Sequence, residues 1–311
     1  MINGILNIYK EKGYTSHDVV ARLRKIVGQK KIGHTGTLDP DAEGVLPVCL
    51  GRATRLCDML TDHDKTYRTV LLLGRSTDTQ DISGKVLEEH NASHVTLEEA
   101  EKCIREFVGE YDQIPPMYSA LKINGRKLYE LAREGKTVER KSRRVKIYDI
   151  QINDINIPEI SMEVSCSKGT YIRTLCQDIG DSLGVGGCMK TLLRTSVGRF
   201  DISDSVCLDE VEEKVNSGCL NEILIPLDAV FADLDRAVIA DRYASLAYNG
   251  NTVFEKNLQE SPGKMAGSRC RLYDSKGRFI GVYQYRGNGR YHLEKMFLDP
   301  DELKIQGERA E

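Results

Sequence analysis

The sequence has no long run of apolar residues, and none of its apolar stretches approaches the length that spans a bilayer. Its first residues, MINGILNIYKEKG, lack the basic flank and the long apolar stretch of a secretory signal peptide. Apolar residues make up 40% of the chain and charged residues 29%, which is typical of a soluble globular protein. We therefore expect a cytoplasmic protein that does not enter a membrane.

Paired cysteine motifs are absent as well. The cysteines number nine, and no two of them are separated by two residues, so the pattern of a zinc ribbon or a thioredoxin-type site is missing. His90 and His94 are four residues apart, but they lie in the polar stretch HNASH, which favours a solvated loop. We expect reduced, mostly buried thiols and no metal site.

Motifs that bind nucleotide cofactors are also missing. The GKT at 135–137 is not a phosphate loop, because the glycine required five residues before Gly135 is replaced by Glu130. The GVGG at 184–187 follows a predicted helix rather than a strand, and no Gly-x-Ser-x-Gly elbow is present. The sequence therefore predicts a protein that works without a cofactor.

Charge is unevenly distributed along the 311 residues, although the formal net charge is only −3. Ten Lys or Arg and three Glu lie between Lys122 and Lys146, and a second basic cluster runs from Arg22 to Lys31. Either cluster alone is typical of a solvated surface. The second cluster adjoins the most unusual loop of the chain, so the two together indicate a polyanionic partner such as a nucleic acid. No obligatory protein partner is evident.

Apolar residues at helical spacing predict helices over 16–28, 96–109 and 170–183, with Ser16 and Thr96 as candidate N-caps. Alternating apolar residues predict strands over 143–152, with a slip at Tyr148, and over 160–166. The continuous apolar run in YRTVLLLG is typical of a central strand. Consecutive strands together with separate helices predict an α+β fold with a largely antiparallel sheet.

Composition changes near Asp235, at the end of an acidic stretch that begins at Ser203. The residues that follow contain short strand candidates, SRCRLY, RFIGVYQY and YHLEKMF, and DSKG is typical of a hairpin turn. We therefore expect two domains, a larger one over 1–235 and a small, mostly β module over 236–311.

The most unusual segment is GHTGTLDPDAEGVLP, residues 33–47, which contains three glycines, two prolines and three carboxylates. Asp39 precedes Pro40, so its backbone favours an extended conformation, and the glycines permit tight turns on either side. The segment therefore predicts a loop that holds one carboxylate in a fixed place. An Asp-Pro turn without any function has the same local pattern.

A single positioned carboxylate can act as a nucleophile, as a general base, or as a stabiliser of positive charge at a sugar carbon. The first and third roles require an ionised group, and Arg173 in SKGTYIRT is a candidate to keep it ionised. Tyr67 and Tyr171 offer flat faces on which a base could stack. Taken singly, a surface arginine and half-buried tyrosines account for the same residues, so the residues alone leave the choice open.

Five segments of the chain carry a further signal. They are KKIGHTGTLDPDAEGVLPVCLGRATR, GILNIYKEKGYTSHDVVARLRKI, DKTYRTVLLLGRSTDTQDISGKV, QIPPMYSALKINGRKLYELAREG and CSKGTYIRTLCQDIGDSLG. In their order along the chain they resemble the signature segments of the TruB family of tRNA pseudouridine synthases. The similarity covers nearly all of residues 3–200, whereas 236–311 resembles only loosely the PUA-type RNA-binding module that often ends such proteins. The resemblance implies a mixed, largely antiparallel sheet with flanking helices, followed by a PUA-like module.

Carried over position by position, the resemblance implies that Asp39 is the catalytic aspartate and that Arg173 pairs with it. Four further residues are implied to contact the substrate: His34, which packs where the target nucleotide was extruded, Tyr67, which stacks on the uracil, Tyr171, and Leu192, which lines the base pocket. The chain departs from the family at Glu11, where proline is usual. That departure puts the rigidity of the first turn in question.

The resemblance also implies a reaction, the isomerisation of uridine to pseudouridine in the T-loop of tRNA, at position 55. The bond from the ribose to N1 is broken, the uracil turns, and the bond is remade at C5, so no cofactor is required. The base has to leave its stack first. A basic segment over 115–146 is expected to bind the tRNA backbone, as a loop that orders on binding.

Two other functions remain open at this point. One is a non-catalytic RNA-binding or RNA-folding protein, although binding alone does not require Asp39, Tyr67 and Arg173 together. The other is a glycoside hydrolase with paired carboxylates such as Asp39 and Glu43, which shares the chemistry at the sugar carbon.

Overall fold

The structure, a computed structural model, describes residues 1–263 and 265–298. Within these residues the chain forms seven α-helices and nineteen β-strands. The helices are α1 (Ser16–Ile26), α2 (Cys57–Thr61), α3 (Leu97–Glu106), α4 (Leu128–Arg133), α5 (Ile172–Ser182), α6 (Leu208–Asn216) and α7 (Ala244–Tyr248). None of the helices in the described ranges is long and apolar enough to cross a membrane.

The strands range in length from two to fourteen residues. They are β1 (Gly4–Lys10), β2 (Ile32–His34), β3 (Glu43–Leu50), β4 (Lys65–Leu73), β5 (Arg75–Thr77), β6 (Val86–Glu89), β7 (Gly109–Gln113), β8 (Lys122–Ile123), β9 (Arg126–Lys127), β10 (Arg143–Asn156), β11 (Glu159–Cys166), β12 (Gly187–Val197), β13 (Phe200–Asp201), β14 (Asp235–Ile239), β15 (Val253–Phe254), β16 (Leu258–Glu260), β17 (Arg269–Tyr273), β18 (Phe279–Tyr285) and β19 (Arg290–Met296).

A nine-stranded sheet runs in the order β1-β3-β12-β4-β11-β10-β7, with β2 paired to β3 and β13 paired to β12. The pairs from β12 through β4, β11 and β10 to β7 are antiparallel, whereas β12 and β3 are parallel. The predictions of an α+β fold with a largely antiparallel sheet and of a central strand at β4 are therefore confirmed. The slip at Tyr148 is also present, as a register shift between Ile147 and Asp149.

Helices α3 and α5 pack on this sheet through their apolar stripes. Ala100 and Ile104 of α3 and Leu175 and Ile179 of α5 are all fully buried in one cluster with side chains of the sheet. Burying a large aliphatic side chain contributes roughly 1.5–3 kcal/mol to the stability of the fold. The cluster therefore fixes the position of α5 on the sheet. The start of α5 carries Arg173, and the packing therefore also positions that arginine.

The chain divides by its contacts into two compact units. The larger comprises Leu6–Val48 and Leu56–Ile223, and the other comprises Met1–Ile5, Cys49–Arg55 and the described residues from Leu224 onward. The first residues belong to the second unit because Ile5 and Ile225 exchange two backbone hydrogen bonds of 2.8 Å. The functional boundary expected at Asp235 stays a prediction.

The second unit is built on a six-stranded sheet in the order β15-β19-β18-β17-β14-β16. The three strands that the sequence predicts are β17, β18 and β19, and they pair antiparallel in succession. The DSKG segment forms the predicted turn, with Gly277 N–H donating to the Asp274 carbonyl at 3.0 Å. The mostly β character expected for this part of the chain is confirmed for its described residues.

The basic segment 115–146 differs from the loop that the sequence predicts. It contains the β8–β9 hairpin and helix α4, and it has a small apolar core of its own. Leu128 and Leu131 lie at helical spacing and are buried in that core beside Met117. Apolar burial within the segment explains why it is folded locally rather than being an extended basic loop.

Candidate active site

Asp39 lies in the loop between β2 and β3, and its neighbours are held by backbone hydrogen bonds. The Ala42 N–H donates to the Asp39 carbonyl at 3.1 Å, which closes a turn around the Asp-Pro pair. The Gly13 N–H donates to the Pro40 carbonyl at 2.9 Å. The loop is therefore fixed both within itself and against the turn after β1, as the density of glycine and proline in this segment predicts.

Ser16 fastens the same loop to helix α1. The sequence predicts Ser16 as the N-cap, but the cap is Thr15, which forms a capping box with Asp18. The Ser16 hydroxyl is buried and accepts a hydrogen bond from Leu38 N–H at 2.9 Å, one residue before Asp39. The prediction was wrong by one residue, because the Thr15 hydroxyl caps the helix while the Ser16 hydroxyl binds the loop.

Lys10 is a fully buried lysine at the end of β1, and the sequence reasoning missed it. Its ammonium group donates to the carbonyls of Glu11, Tyr14 and Pro40 at 3.0, 2.7 and 3.2 Å. Burial lowers the pKa of Lys10 to about 8. These three bonds tie the first turn to the loop, so the turn is fixed although Glu11 stands where the family usually has proline.

Asp39 and Arg173 form an ion pair, with 3.0 Å between Asp39 Oδ2 and Arg173 Nε. The Arg173 side chain is 7% exposed and that of Asp39 is 39% exposed, so the guanidinium lies behind a carboxylate that faces the solvent. Arg173 also donates to the carbonyls of Thr79 at 3.1 Å and Tyr118 at 2.8 Å. The arginine is thus held on three sides and presents a fixed charge to Asp39.

Asp81 is a second carboxylate next to Arg173, and the sequence reasoning did not select it. Its Oδ2 lies 3.6 Å from Arg173 Nη1. Its Oδ1 accepts hydrogen bonds from the Thr79 hydroxyl at 2.7 Å and from the Ser83 N–H at 3.0 Å. The segment TDTQDIS has the composition of an ordinary turn, which hides this arrangement in the sequence.

The electrostatics of Asp39 combine opposing effects. Burial raises the pKa of Asp39 and is the largest effect, while the Arg173 guanidinium opposes it. Asp81 raises the pKa of Asp39 further, and Lys10 lowers it. Arg173 therefore acts in the direction that the sequence predicts, although burial outweighs it.

Tyr67 and Leu192 lie on adjacent strands of the sheet. Leu192 on β12 is paired with Thr69 on β4, two residues from Tyr67, so the three side chains share one face. Tyr67 is buried, and Leu192 packs against the same apolar cluster, which also contains Leu38 of the loop. Burial raises the pKa of Tyr67, and the neighbouring Arg194 guanidinium opposes that rise.

Tyr171 immediately precedes helix α5, and Gln113 of β7 fixes its backbone. Tyr171 N–H donates to Gln113 Oε1 at 2.8 Å, and Gln113 Nε2 donates to the Tyr171 carbonyl at 3.0 Å. Burial raises the pKa of Tyr171. The charge of Asp39 also raises the pKa values of both Tyr67 and Tyr171.

His34 ends β2 and stands at the beginning of the Asp39 loop. Its ring meets the His17 ring edge to face at a centroid distance of 5.3 Å, and its Nδ1 accepts from Gly36 N–H at 3.3 Å. Burial lowers the pKa of His34, and the nearby His17 and Arg194 lower it further. The environment therefore favours a neutral imidazole.

The space around Asp39, Arg173, Tyr67 and Tyr171 is called the cleft. Across residues 1–263 and 265–298, no group of three or more His, Cys, Asp or Glu side chains is arranged to hold a metal ion. All nine cysteines are free thiols. The chemistry that the cleft itself offers is that of a carboxylate beside a fixed cation and two tyrosines.

Comparison with known proteins places the chain in a family. A family model described as the N-terminal domain of TruB family pseudouridylate synthases matches residues 24–172, and one for the C-terminal domain of tRNA pseudouridylate synthase B matches residues 173–238. A tRNA pseudouridine synthase B of Lachnoclostridium phytofermentans is 49% identical over 308 residues, which cover 96% of this chain and 100% of that protein. This chain belongs to the TruB family of pseudouridylate synthases.

Further matches support this TruB assignment. A tRNA pseudouridine synthase B of Clostridium perfringens strain 13 is 42% identical over 299 residues, covering 96% of this chain and 100% of that protein. Among solved structures, a chain of a Cbf5-Nop10-Gar1 complex matches with a TM-score of 0.71 and 26% identity, covering 96% of this chain and 86% of that one. A chain of an H/ACA RNP bound to a substrate RNA has the same fold, with a TM-score of 0.70 and 24% identity.

Family membership confirms three expectations. The resemblance stated from the sequence is correct, the fold is of the pseudouridine synthase type, and the TruB chain is an isomerase. The C-terminal six-stranded sheet is consistent with a PUA-like module. The roles of the individual cleft residues stay proposals.

Proposed function

We propose that this TruB-family chain isomerises uridine to pseudouridine in the T-loop of tRNA, at position 55, with Asp39 as its catalytic aspartate and without a cofactor. The observation that carries the proposal is the pair formed by a partly exposed Asp39 and a buried Arg173. Relatives that match almost the whole chain are named tRNA pseudouridine synthase B, which supports tRNA as the substrate. We assign this activity to the cytoplasm.

The reaction fits the inventory of the cleft. The bond between the ribose C1′ and uracil N1 breaks, the uracil turns, and a bond forms between C1′ and C5. C5 loses a proton and N1 gains one, so the atoms balance and no oxidant or energy donor is required. Asp39 either attacks C1′ as a nucleophile or removes a proton from the adjacent carbon, and both roles use the ionised carboxylate beside Arg173.

The target base has to leave its stack, at a cost of roughly a few kcal/mol. In this proposal Tyr67 stacks on the extruded uracil, Leu192 forms an apolar wall of its pocket, and Tyr171 is a second substrate contact. His34 occupies the place that the nucleotide leaves. A neutral ring is suited to that position between bases, and the lowered pKa of His34 favours the neutral form.

The tRNA backbone is bound in this proposal by basic side chains outside the cleft. The segment 115–146 contains the hairpin of β8 and β9 and helix α4, and Lys122 to Lys146 carry ten Lys or Arg. The same segment supplies the Tyr118 carbonyl that holds Arg173, so tRNA binding and the catalytic pair share a structural element. Phosphate contacts of this kind weaken as salt concentration rises. We assign the PUA-like module a further RNA contact.

The proposal is tested with purified protein, unmodified tRNA and no added cofactor, followed by mapping of pseudouridine. The wild-type chain should form pseudouridine at position 55, and a tRNA with cytidine at that position should give none there. Asp39→Asn should bind tRNA with a dissociation constant within about threefold of the wild type, since binding contacts are retained, yet form no product.

Asp41→Asn is the matched control, because Asp41 lies in the same loop but is exposed to solvent. It should keep normal product formation. Normal product from Asp39→Asn would exclude Asp39 as the catalytic residue. Wild-type protein that binds tRNA without forming pseudouridine would favour the non-catalytic RNA-binding alternative, and release of free uracil would favour a glycoside hydrolase.

A further inference from the structure

Arg194 is an unusual side chain for a protein interior. It is 1% exposed and heads the largest fully buried side chains, and among the residues that the structure describes it forms no ion pair with a carboxylate. Its Nη2 has no hydrogen-bond partner among those residues. Burying a charged group without a counter-charge is costly, so such a residue requires an explanation.

The backbone of Arg194 lies between the two strands that carry the cleft. Strand β12 separates β3 from β4, and Arg194 is paired with Gly44 of β3 on one side and with Tyr67 of β4 on the other. The contact with β3 is very close, because a Cβ added to Gly44 would lie 2.2 Å from the Arg194 carbonyl oxygen. Gly44 also has φ +105°, so no other residue fits there without strain.

The side chain of Arg194 makes a second contact with β3. Its Nε donates to the Val45 carbonyl at 2.7 Å, near the start of β3 and six residues beyond Asp39. Its side chain lies on the same face of the sheet as that of Tyr67, because the two residues are directly paired across β12 and β4. The Arg194 charge opposes the rise in the pKa of Tyr67. Its charge also acts on His34 at the beginning of the loop. Arg194 therefore donates a hydrogen bond to Val45, and its charge acts on Tyr67 and His34.

We propose that Arg194 is a positioning residue for the isomerisation: it holds the phenol of Tyr67 at a fixed distance from the start of β3, and so sets the uracil that stacks on Tyr67 against Asp39. The role in the reaction rests on the proposed function, whereas the link between Arg194 and Tyr67 does not. Arg194 does not touch the reacting atoms. Its effect on the reaction passes through Tyr67.

The test is a double-mutant cycle with Arg194→Met and Tyr67→Phe. Arg194→Met removes the charge and the N–H donors of the guanidinium at similar volume, and Tyr67→Phe removes only the phenol hydroxyl. Arg194→Met should lower kcat about 10- to 100-fold, the range expected for a misplaced reacting group, with KM for tRNA within about threefold. In the Tyr67→Phe background the same change should lower kcat by less than about threefold, because the group through which Arg194 acts is gone. Arg194→Lys should restore part of kcat, since it keeps the charge.

Lys65→Met is the matched control. Lys65 is another buried cation on β4, two residues from Tyr67, and its ammonium donates only to the carbonyls of Thr61 and His63 in the described structure. It should lower the midpoint of denaturation as Arg194→Met does, but the loss of kcat should not depend on Tyr67→Phe. Equal kcat losses in the two variants, or a loss from Arg194→Met that is unchanged in the Tyr67→Phe background, would show that Arg194 has a structural role only.

The same cycle is read in urea denaturation, which needs no substrate. The shift in midpoint of the double variant should be smaller than the sum of the two single shifts, and additive shifts would overturn the link between Arg194 and Tyr67. If the wild-type chain makes no pseudouridine but the shifts are non-additive, the proposed function fails while the link stands. If the wild type is active and the shifts are additive, the link fails and the proposed function stands.

Discussion

Ser16 and Thr15 are adjacent hydroxyl residues with different tasks, and replacing each by alanine separates loop anchoring from helix capping. Thr15 caps α1 through the N–H of Asp18 at 3.0 Å, whereas Ser16 accepts from the buried N–H of Leu38 at 2.9 Å. Each substitution removes one hydroxyl at the same end of the same helix. Only Ser16→Ala touches the loop that carries Asp39.

The two variants should lose similar stability. Thr15→Ala removes an N-cap, which costs about 1 kcal/mol. Ser16→Ala leaves the Leu38 N–H buried without an acceptor, which costs about 1–3 kcal/mol. For a unit of this size, each kcal/mol lowers Tm by about 2–4 °C, so both variants stay folded at 25 °C.

Their activities should differ. Without the Ser16 hydroxyl the loop shifts towards another donor or towards water, and a displacement of about 1 Å at a reacting group can cost about 100-fold in rate. We expect Ser16→Ala to lower the single-turnover rate of pseudouridine formation by at least about tenfold, and Thr15→Ala to leave it within about twofold. Equal rates in the two variants, at equal Tm losses, would refute the anchoring role of Ser16.

Two further predictions concern pH. Asp81 raises the pKa of Asp39, so Asp81→Asn should move the acid limb of the pH–rate profile to lower pH, and a move to higher pH would contradict this. The pKa of Lys10 is about 8 in the folded chain against 10.5 ordinarily, so between these values the unfolded chain binds more protons and this amine makes folding more favourable as pH rises. The difference in unfolding free energy between wild type and Lys10→Met, from urea titrations, should therefore increase between pH 8 and 10. A difference that stays constant or decreases would show that burial does not lower the pKa of this amine.

Features encoded by neighbouring residues could be predicted from the sequence. The capping box of Thr96 and Glu99 is contained within four residues, and the apolar run at β4 marks a central strand by itself. The loop around Asp39 was found because glycine and proline restrict the backbone locally. In each case the physical cause and the sequence signal lie in the same short segment.

The residues that the sequence reasoning missed act over long separations and bind backbone groups. Lys10 reaches Pro40, Gln113 reaches Tyr171, and Arg194 reaches Val45. A carbonyl or an N–H is present at every position of the chain, so the partner leaves no residue-type signal. Only the donor is a distinctive residue, and it stands out by composition only for Lys10, which ends the mostly apolar strand β1.

This mode of anchoring explains why one carboxylate of the Asp39 loop is selected. Ser16 binds the backbone of Leu38, and Lys10 binds the backbone of Pro40, so the residue between them is fixed whatever its side chain. Arg173 then meets the side chain at that one position. Asp41 is exposed, and Glu43 accepts a hydrogen bond from Tyr9 at 3.2 Å, away from the Arg173 pair. Moving the carboxylate by two residues along the loop would therefore leave Arg173 without it, because the anchors hold a backbone position and not an acid.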